Sequence, residues 1–416
     1  MYICDRMGEN INSYIGLSEH KDGFEAGKEA VKDALDEMSS EEIEESFGIV
    51  FCSASYDENR IAEGVDKNLE CDWMGCTTSG EISNMGVTDG SVIVYLISSD
   101  HIDYNIAKVE GMNEDPISKG EELVRRGRFR EFDEEDPESR FVILLKGGWK
   151  FDSEELGVAC EVIKGISNEL ELDTPLVGGE AGDGETFSGE TYQFWNGEVY
   201  TDSIIGLFAR TSLKFGVGHS NGARKENRKF RITRTSGHNT VMELDGRPAA
   251  EVYAEAIGAE VEDFRETVEG IPKMVLMACQ NPLCYDIGGE RPLVRLPFML
   301  EDEGGLVFHE SLWEGGTVSM ASVDDSSNIE ALDEALELSM KDVGELPEAA
   351  LFFNCLGRKL VLGKDIYKEV ELIRDRLDIP FAGFYTHGEF GWADRTYLYA
   401  AYTVTNLVIF DELKDE

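Results

Sequence analysis

Apolar residues along the chain fall into two rhythms. One is the short, nearly unbroken run that a fully buried strand requires. It recurs in FGIVFCSAS (47–55), SVIVYLIS (91–98), FVILLKGG (141–148), SIIGLFAR (203–210), ALFFNCLGRK (350–359) and YTVTNLVIF (402–410). The other is the three-and-four spacing of an amphipathic helix. Phe24, Val31, Leu35 and Met38 carry it over 22–38, and Ile329, Leu332, Leu336 and Met340 over 328–340. Leu156, Cys160, Ile163 and Leu170 carry it over 153–172, with Asp152 and Glu155 as a cap pair and Pro175 just beyond the end. Ile366, Val370, Ile373 and Leu377 carry it over 364–377, and Pro380 follows. Strands alternating with helices at this rate predict mixed α/β layers.

Three stretches repeat one pattern: a strand, a helix, a short strand running into a Gly-x-x-x-x-Gly loop, then a further strand. The loops are DWMGCTTSGEIS (72–83), PLVGGEAGDGETF (175–187) and PFAGFYTHGEFG (380–391). Their glycines are Gly75/Gly80, Gly178/Gly184 (one residue longer) and Gly383/Gly388, and a glutamate follows each second glycine: Glu81, Glu185 and Glu389. Self-similarity of this kind predicts an internally duplicated fold of strand–helix–strand units. A boundary falls near 222–235, where GARKENRKFRITRT gathers Arg224, Lys225, Arg228, Lys229, Arg231 and Arg234. This basic cluster reads as a linker strand that neutralises acidic neighbours, with a grip on an anionic ligand as the alternative. After it, TVMELDGRPAAEVYAEAIG (240–258) reads as a strand, an Asp-Gly turn, Pro248 at a helix start and Gly258 as the stop.

Charge narrows the function. Acids outnumber bases 84 to 38 in 416 residues, a net of −46, which repels nucleic-acid phosphates and anionic lipid heads. The acids are dispersed, as in DEMSSEEIEES (36–46) and EFDEEDPE (131–138), so they form a solvated surface suited to a salty cytoplasm. No apolar run reaches the length of a membrane span, and MYICDRMGENINSYIGL lacks the basic-then-apolar order of a secretory signal. The expectation is a soluble, cytoplasmic protein without nucleic-acid or membrane partners. Eight cysteines are too sparse for a disulfide scaffold. The pairs Cys71/Cys76 and Cys279/Cys284 are spaced more loosely than a zinc knuckle, so no metal is expected and the thiols read as small buried hydrophobes.

The sequence contains no G-x-S-x-G elbow, H-E-x-x-H pair or G-x-G-x-x-G fingerprint, and no cofactor is implied. What remains are the glycine loops at strand ends, where backbone amides and small side chains can approach a small ligand. Cys76, Thr77 and Glu81 crowd the first loop with Thr78 and Ser79; Tyr385, His387 and Glu389 crowd the third with Thr386. Cys355 and Arg358 follow a strand of the third unit. Three readings are open: a ligand site, plain turn chemistry in an interaction scaffold, or an enzyme using Cys76 or Cys355 as nucleophile with His387 as base.

At these residues the sequence resembles the FIST family (F-box and intracellular signal transduction). The matching pieces run in order: FEAGKEAVKDAL (24–35), MGCTTSGEIS (74–83), VGGEAGDG (177–184), TVMELDGRPAAEVYAEAIG (240–258), NPL (281–283), RPLVRLPFML (291–300), GGLVFHESLWEGGTVSMAS (304–322), NCLGR (354–358) and AGFYTHGEFG (382–391). The resemblance implies a FIST N-terminal domain over 1–228 and a FIST C-terminal domain over 229–416. It also implies a sensory module that binds small ligands such as amino acids. With the chain stopping at Glu416, it is expected to stand alone and signal through a separate protein. Near the C-terminus, where relatives often carry a His-Asn pair before a Thr, this chain has Ala400, Ala401, Tyr402 and Thr403. For an amino-acid ligand, Arg358 is the expected carboxylate partner and Glu81 or Glu389 the ammonium partner, with Tyr385, Thr77 and Cys355 completing the pocket. Arg358 is therefore expected beside Glu81 or Glu389.

Overall fold

The computed structural model describes residues 9–128, 139–149, 158–185, 188–285, 293–341, 343 and 346–414. It is a mixed α/β protein, 29% helix and 42% strand. The acidic run 131–138 and the Asp152/Glu155 cap pair lie outside the described residues.

The repeated pattern is three structural units. Each runs strand, helix, strand, helix, strand, hairpin, strand. In the first the strands are Asn12–Ser18, Ser46–Ser53, Trp73–Thr78, the hairpin Glu81–Ser83/Gly86–Thr88 and Val92–Ser98. In the second they are Ile102–Glu110, Ser139–Lys146, Leu176–Glu180, the hairpin Gln193–Trp195/Glu198–Tyr200 and Ser203–Thr211. In the third they are Leu213–Ser220, Pro347–Cys355, Phe381–Thr386, the hairpin Glu389–Ala393/Thr396–Ala400 and Val404–Leu413. The helices Gly23–Leu35, Pro116–Gly127 and Asp325–Ser339 follow the respective first strands, though in the third unit a long insertion intervenes. Each amphipathic stretch seen in the sequence is a helix close to its expected place. Gly23–Leu35, for example, is capped by Asp22, whose carboxylate accepts from the Glu25 amide.

The three units build three six-stranded sheets of identical order. First strand, last strand and second strand lie side by side antiparallel, and the second pairs in parallel with the third. No unit completes its own sheet. The hairpin of the second unit pairs with Trp73–Thr78 of the first, that of the third with Leu176–Glu180 of the second, and that of the first with Phe381–Thr386 of the third. The exchange closes a ring. Because side chains alternate along a strand, one set (Phe51, Ile143, Phe353 and their neighbours) points to a shared central core, where Phe51 meets Phe384 at 4.7 Å. The other set (Val50, Leu144, Phe352) packs under the helices on the outside.

The first glycine of each loop has one physical reason in all three units. Gly75, Gly178 and Gly383 pair with Val50, Leu144 and Phe352 across the parallel strands. A Cβ on any of them would lie 2.0–2.4 Å from that partner's carbonyl oxygen, inside van der Waals contact.

Between Leu213–Ser220 and the helix Asp325–Ser339 the chain makes a second body: an eight-stranded sheet with the helices Ala249–Ile257 and Lys273–Gln280. The basic cluster is its first strand, Arg224–Ser236, with Arg224 paired to Asp324 and Glu330 and Arg234 to Glu243. Strand, turn, helix and left-handed Gly258 follow as the 240–258 pattern predicts. The expected boundary at 228 falls inside Arg224–Ser236, and the third sheet of the ring draws strands from both sides of it. One reading of local structure changes. The strand expected over 350–359 ends at Cys355, and Leu356–Leu362 is a helix. The inserted body packs on the ring through Trp149, Leu356, Ala401 and Tyr402.

Candidate functional site

The three loop tips meet at one end of the ring core, held by exchanged backbone bonds. The Ser79 amide donates to the Tyr385 carbonyl, Gly182 to Thr77, His387 to Glu180, and Tyr385 to Gly80. One polar side chain from each unit gathers there. His387 Nε2 lies 3.1 Å from Ser79 Oγ and 3.3 Å from Asp183 Oδ1. Ser79 Oγ donates its proton to the Gly184 carbonyl at 2.6 Å, so its lone pairs face the imidazole. Burial works to raise the Asp183 carboxyl, but the hydrogen bond and charge of His387 outweigh it and hold the group at about 2. Serine and aspartate share one imidazole nitrogen, so the three residues form a clasp rather than a relay in which histidine takes the serine proton.

The sequence-selected residues divide among separate clusters. Cys76 points into the ring core. Thr77 Oγ1 accepts from the Tyr192 amide at 3.0 Å, stitching the second unit's hairpin to the first sheet. Glu81 accepts from Thr78, Thr88, the Gly90 amide and both the amide and hydroxyl of Ser91. Glu389 repeats the arrangement, accepting from Thr386 and from the amide (3.0 Å) and hydroxyl (2.7 Å) of Thr403, and Cys355 lies against it. Each glutamate thus ties its loop to the residue just before its unit's last strand. Burial raises Glu81 and pushes Glu389 up to about 8.

Arg358 is fully buried and paired with Glu369 (Nη2–Oε1 2.6 Å), and it also donates to the Asn328 carbonyl at 2.8 Å. Tyr385 donates to the other oxygen of Glu369 at 2.6 Å, and Asn354 to the same oxygen at 2.9 Å. The guanidinium therefore meets Tyr385 through Glu369, a residue the sequence did not single out, and its ion pair is with neither Glu81 nor Glu389. Of the sequence-selected side chains, His387 is the one that joins the polar cluster at the loop tips, where Thr77 and Tyr385 take part through their backbones.

A larger polar cluster begins beside it, under the inserted body. Lys146 Nζ pairs with Glu180 Oε1 at 2.7 Å, both side chains being buried. Tyr399 donates to Glu180 Oε2 at 2.6 Å and makes a close contact with His309 Nδ1. The Trp149 ring packs 4.5 Å from His309 and 5.7 Å from His387, joining the two groups. Burial works to raise the Glu180 carboxyl, but the charges of Lys146 and His309, with hydrogen bonds from Lys146 and Tyr399, outweigh it and hold the group below its ordinary value. Burial holds His309 at about 4; Glu180 opposes the drop while the charge of Lys146 adds to it, so the ring is neutral at physiological pH. Next to His309, Glu310 is buried with its carboxyl pushed up to about 7, burial outweighing the opposite charge of Arg295. The sequence signals for this cluster were slight. Lys146 ends an otherwise apolar run, and His309-Glu310 interrupts GGLVFHES, but nothing local says that residues from 146, 180, 309 and 399 meet.

Comparison with known families settles the relationship. The FIST N domain matches residues 46–247 and the FIST C domain matches 249–392. The chain belongs to the FIST family. FIST domains are signal-transduction sensory domains rather than a family of enzymes. The two FIST matches meet inside the inserted body, so the FIST N match holds the first unit from its second strand onward, the whole second unit and the lead strand of the third. No curated protein matches the chain. Among the described residues no helix is long and apolar enough to cross a membrane.

Proposed function

We propose that this FIST chain is a cytoplasmic sensory module that binds a small, amino-acid-like ligand and signals through a separate protein. The observation that carries the reading is the buried ionic cluster between ring and inserted body: Lys146, Glu180 and Tyr399 from the ring against His309 and Glu310 from the insertion. Buried charges are costly as mere packing, and ones straddling two bodies respond to any shift between them. A ligand that prefers one arrangement of the two bodies shifts their populations, and a partner reads the favoured one. His387, through Trp149, couples this junction to the loops of all three units. Glu81, Glu389, Arg358, Tyr385, Thr77 and Cys355 hold those loops in place, and Cys76 fills the core beneath them.

The cysteine-enzyme reading finds no support in the geometry. Cys76 and Cys355 are buried and burial pushes both thiols well above their ordinary value, the reverse of an activated thiolate. The test is a melting-temperature screen over amino acids and related metabolites. A saturable rise with one chemical class is expected, and a flat response to every class would overturn the reading.

A further inference from the structure

The segment that carries His309 and Glu310 does not end at the junction. Ser311 still touches the ring at Cys160 of the helix Val158–Glu169, and then the chain surfaces: Trp313 is 56% exposed. The turn that holds Trp313 is tied to the opening strand of the inserted body, Arg224–Ser236, and to the residues just after it. Leu312 donates to the His238 carbonyl at 2.8 Å, Gly315 to the Ile232 carbonyl at 2.8 Å, and Ile232 to the Gly316 carbonyl at 2.9 Å. The Trp313 ring packs edge-on against Tyr285, with ring centres 5.8 Å apart. Beside Ile232 stands Arg231, exposed and paired in register with Thr317, and Lys229 is exposed two positions away on the same face of the strand. Arg224 and Arg234, towards the ends of the strand, are paired with acids. Lys229 and Arg231 make no ion pair among the described residues, and Asp245 accepts from the Arg231 backbone amide at 2.9 Å rather than from its guanidinium.

A single exposed tryptophan needs no explanation, and two exposed cations alone are a solvated surface. Their meeting at one turn is a different matter. Acids outnumber bases 84 to 38 in this chain, yet the fold brings none into an ion pair with these two cations among the described residues. Trp, Tyr and Arg are also the side chains that supply most of the energy at protein interfaces. The surrounding charge limits what fits. Glu226, Asp245 and Glu314 are exposed nearby in the chain, so a nucleic-acid strand, which needs a long run of cations, is repelled. A basic partner is drawn to the acidic remainder of the surface and repelled here. What fits is one or two carboxylates beside an apolar group, and screening over about 8 Å at physiological salt lets these local charges outweigh the distant −46. We propose that Trp313, Arg231 and Lys229 form the surface on which the separate signalling protein docks, through a short acidic segment carrying one aromatic or aliphatic side chain. This rests on the sensory reading above and adds its output. Trp313 lies three residues beyond Glu310 on a segment whose other end rests on the ring, so a shift between the two bodies is passed to the docking face.

The test measures fluorescence anisotropy of labelled synthetic decapeptides mixed with the intact chain. One series sets a single Phe, Trp or Leu among Asp and Glu, a second replaces the acids by Asn and Gln, and a third replaces the apolar residue by Ser. Saturable binding is expected for the first series alone, weakening as salt rises. W313A should weaken it about 30-fold or more, and K229E combined with R231E about 10-fold or more with loss of the salt dependence. All three side chains are exposed, so these variants fold. K164E combined with K364E, at two exposed lysines elsewhere, makes the same change in net charge and should leave binding unaltered. Absence of binding by every acidic peptide, binding that survives W313A and the double reversal, or binding lost equally with the control pair would overturn the surface. Self-association of the parent chain that W313A abolishes, with no peptide bound, would assign the face to a second copy and overturn the docking proposal too. The metabolite screen reads the sensory function separately. A metabolite response without peptide binding overturns the docking surface alone, whereas peptide binding without any metabolite response overturns the sensory reading and leaves the surface standing.

Discussion

Glu310 and Glu389 are both buried carboxyls, and burial pushes both above the ordinary value, Glu389 to about 8 despite the Thr386 and Thr403 groups that donate to it. The consequence for Glu310 is a titration that opposes folding. Its folded pKa of about 7 lies above the ordinary 4.5, so between those values the folded state holds a proton that the unfolded state has released. Stability contributed by the protonated acid is complete below pH 4.5, falls as pH rises to about 7, and is flat beyond. The total loss is about 3 kcal/mol. Arg295 opposes this shift, Glu180 adds to it, and His309, Tyr399 and Cys160 are the other titratable groups nearby. Urea denaturation should therefore show E310Q losing about 3 kcal/mol less than the parent between pH 4.5 and 7.5; parallel curves would contradict this. Arg358 makes the opposite case. Arg358→Ala strands Glu369 in the core and should cost about 3–5 kcal/mol, read from the same denaturation curves. The sequence singled out Arg358 as the partner of a ligand carboxylate beside Glu81 or Glu389, and its ion pair is with Glu369. The sequence could not show that pairing, because Glu369 sits on a helix whose buried face is fixed only by the strands beneath it.

At the scale of elements, glycines do more than shape turns. Gly27 and Gly64 let the helices Gly23–Leu35 and Glu58–Asp66 cross in contact, and Gly120 and Gly165 do the same for Pro116–Gly127 and Val158–Glu169. In the strands, Gly178→Ala would drive a methyl into the Leu144 carbonyl from a backbone conformation that already disfavours a side chain. It should destabilise by at least about 1–3 kcal/mol. Gly90→Ala, with open space around it, should stay within about 0.5 kcal/mol. Equal losses for the two would refute the steric account. The repeat was legible because these glycines recur at fixed offsets from apolar runs. The helix Leu356–Leu362 was not, since its first turn continues the apolar character of the strand before it and no side chain caps it. Nor could periodicity reveal the hairpin exchange. A hairpin presents the same alternation to its own sheet and to a neighbour's, and only the assembled ring selects between them.

The whole molecule carries a charge of −46 that the fold must hold at close quarters. Buried acids have named partners or raised pKa values, so the repulsion resides on the surface and should respond to salt. The Debye length grows from about 3 Å at 1 M to about 30 Å at 0.01 M salt, and the melting temperature should fall along that series. A flat profile would argue against adaptation to a salty interior. Composition made this much legible from the start. The insertion was only partly so: its opening strand and first helix could be read, but its ionic contact with the ring joins residues far apart in sequence and is a property of the closed assembly.

That closure also sets a timetable for synthesis. The hairpin needed beside Leu176–Glu180 is Glu389–Ala393/Thr396–Ala400, so Gly179 waits for Glu389 to be made before its strand edge is covered. Chains emerge from the ribosome at about 5–20 residues per second. During that interval an apolar strand edge of the second unit stands open to pairing with any other nascent chain. The first unit borrows its hairpin from the next unit and waits far less. A cell making this protein therefore faces its greatest aggregation hazard in the second sheet, during the stretch in which the inserted body is being translated.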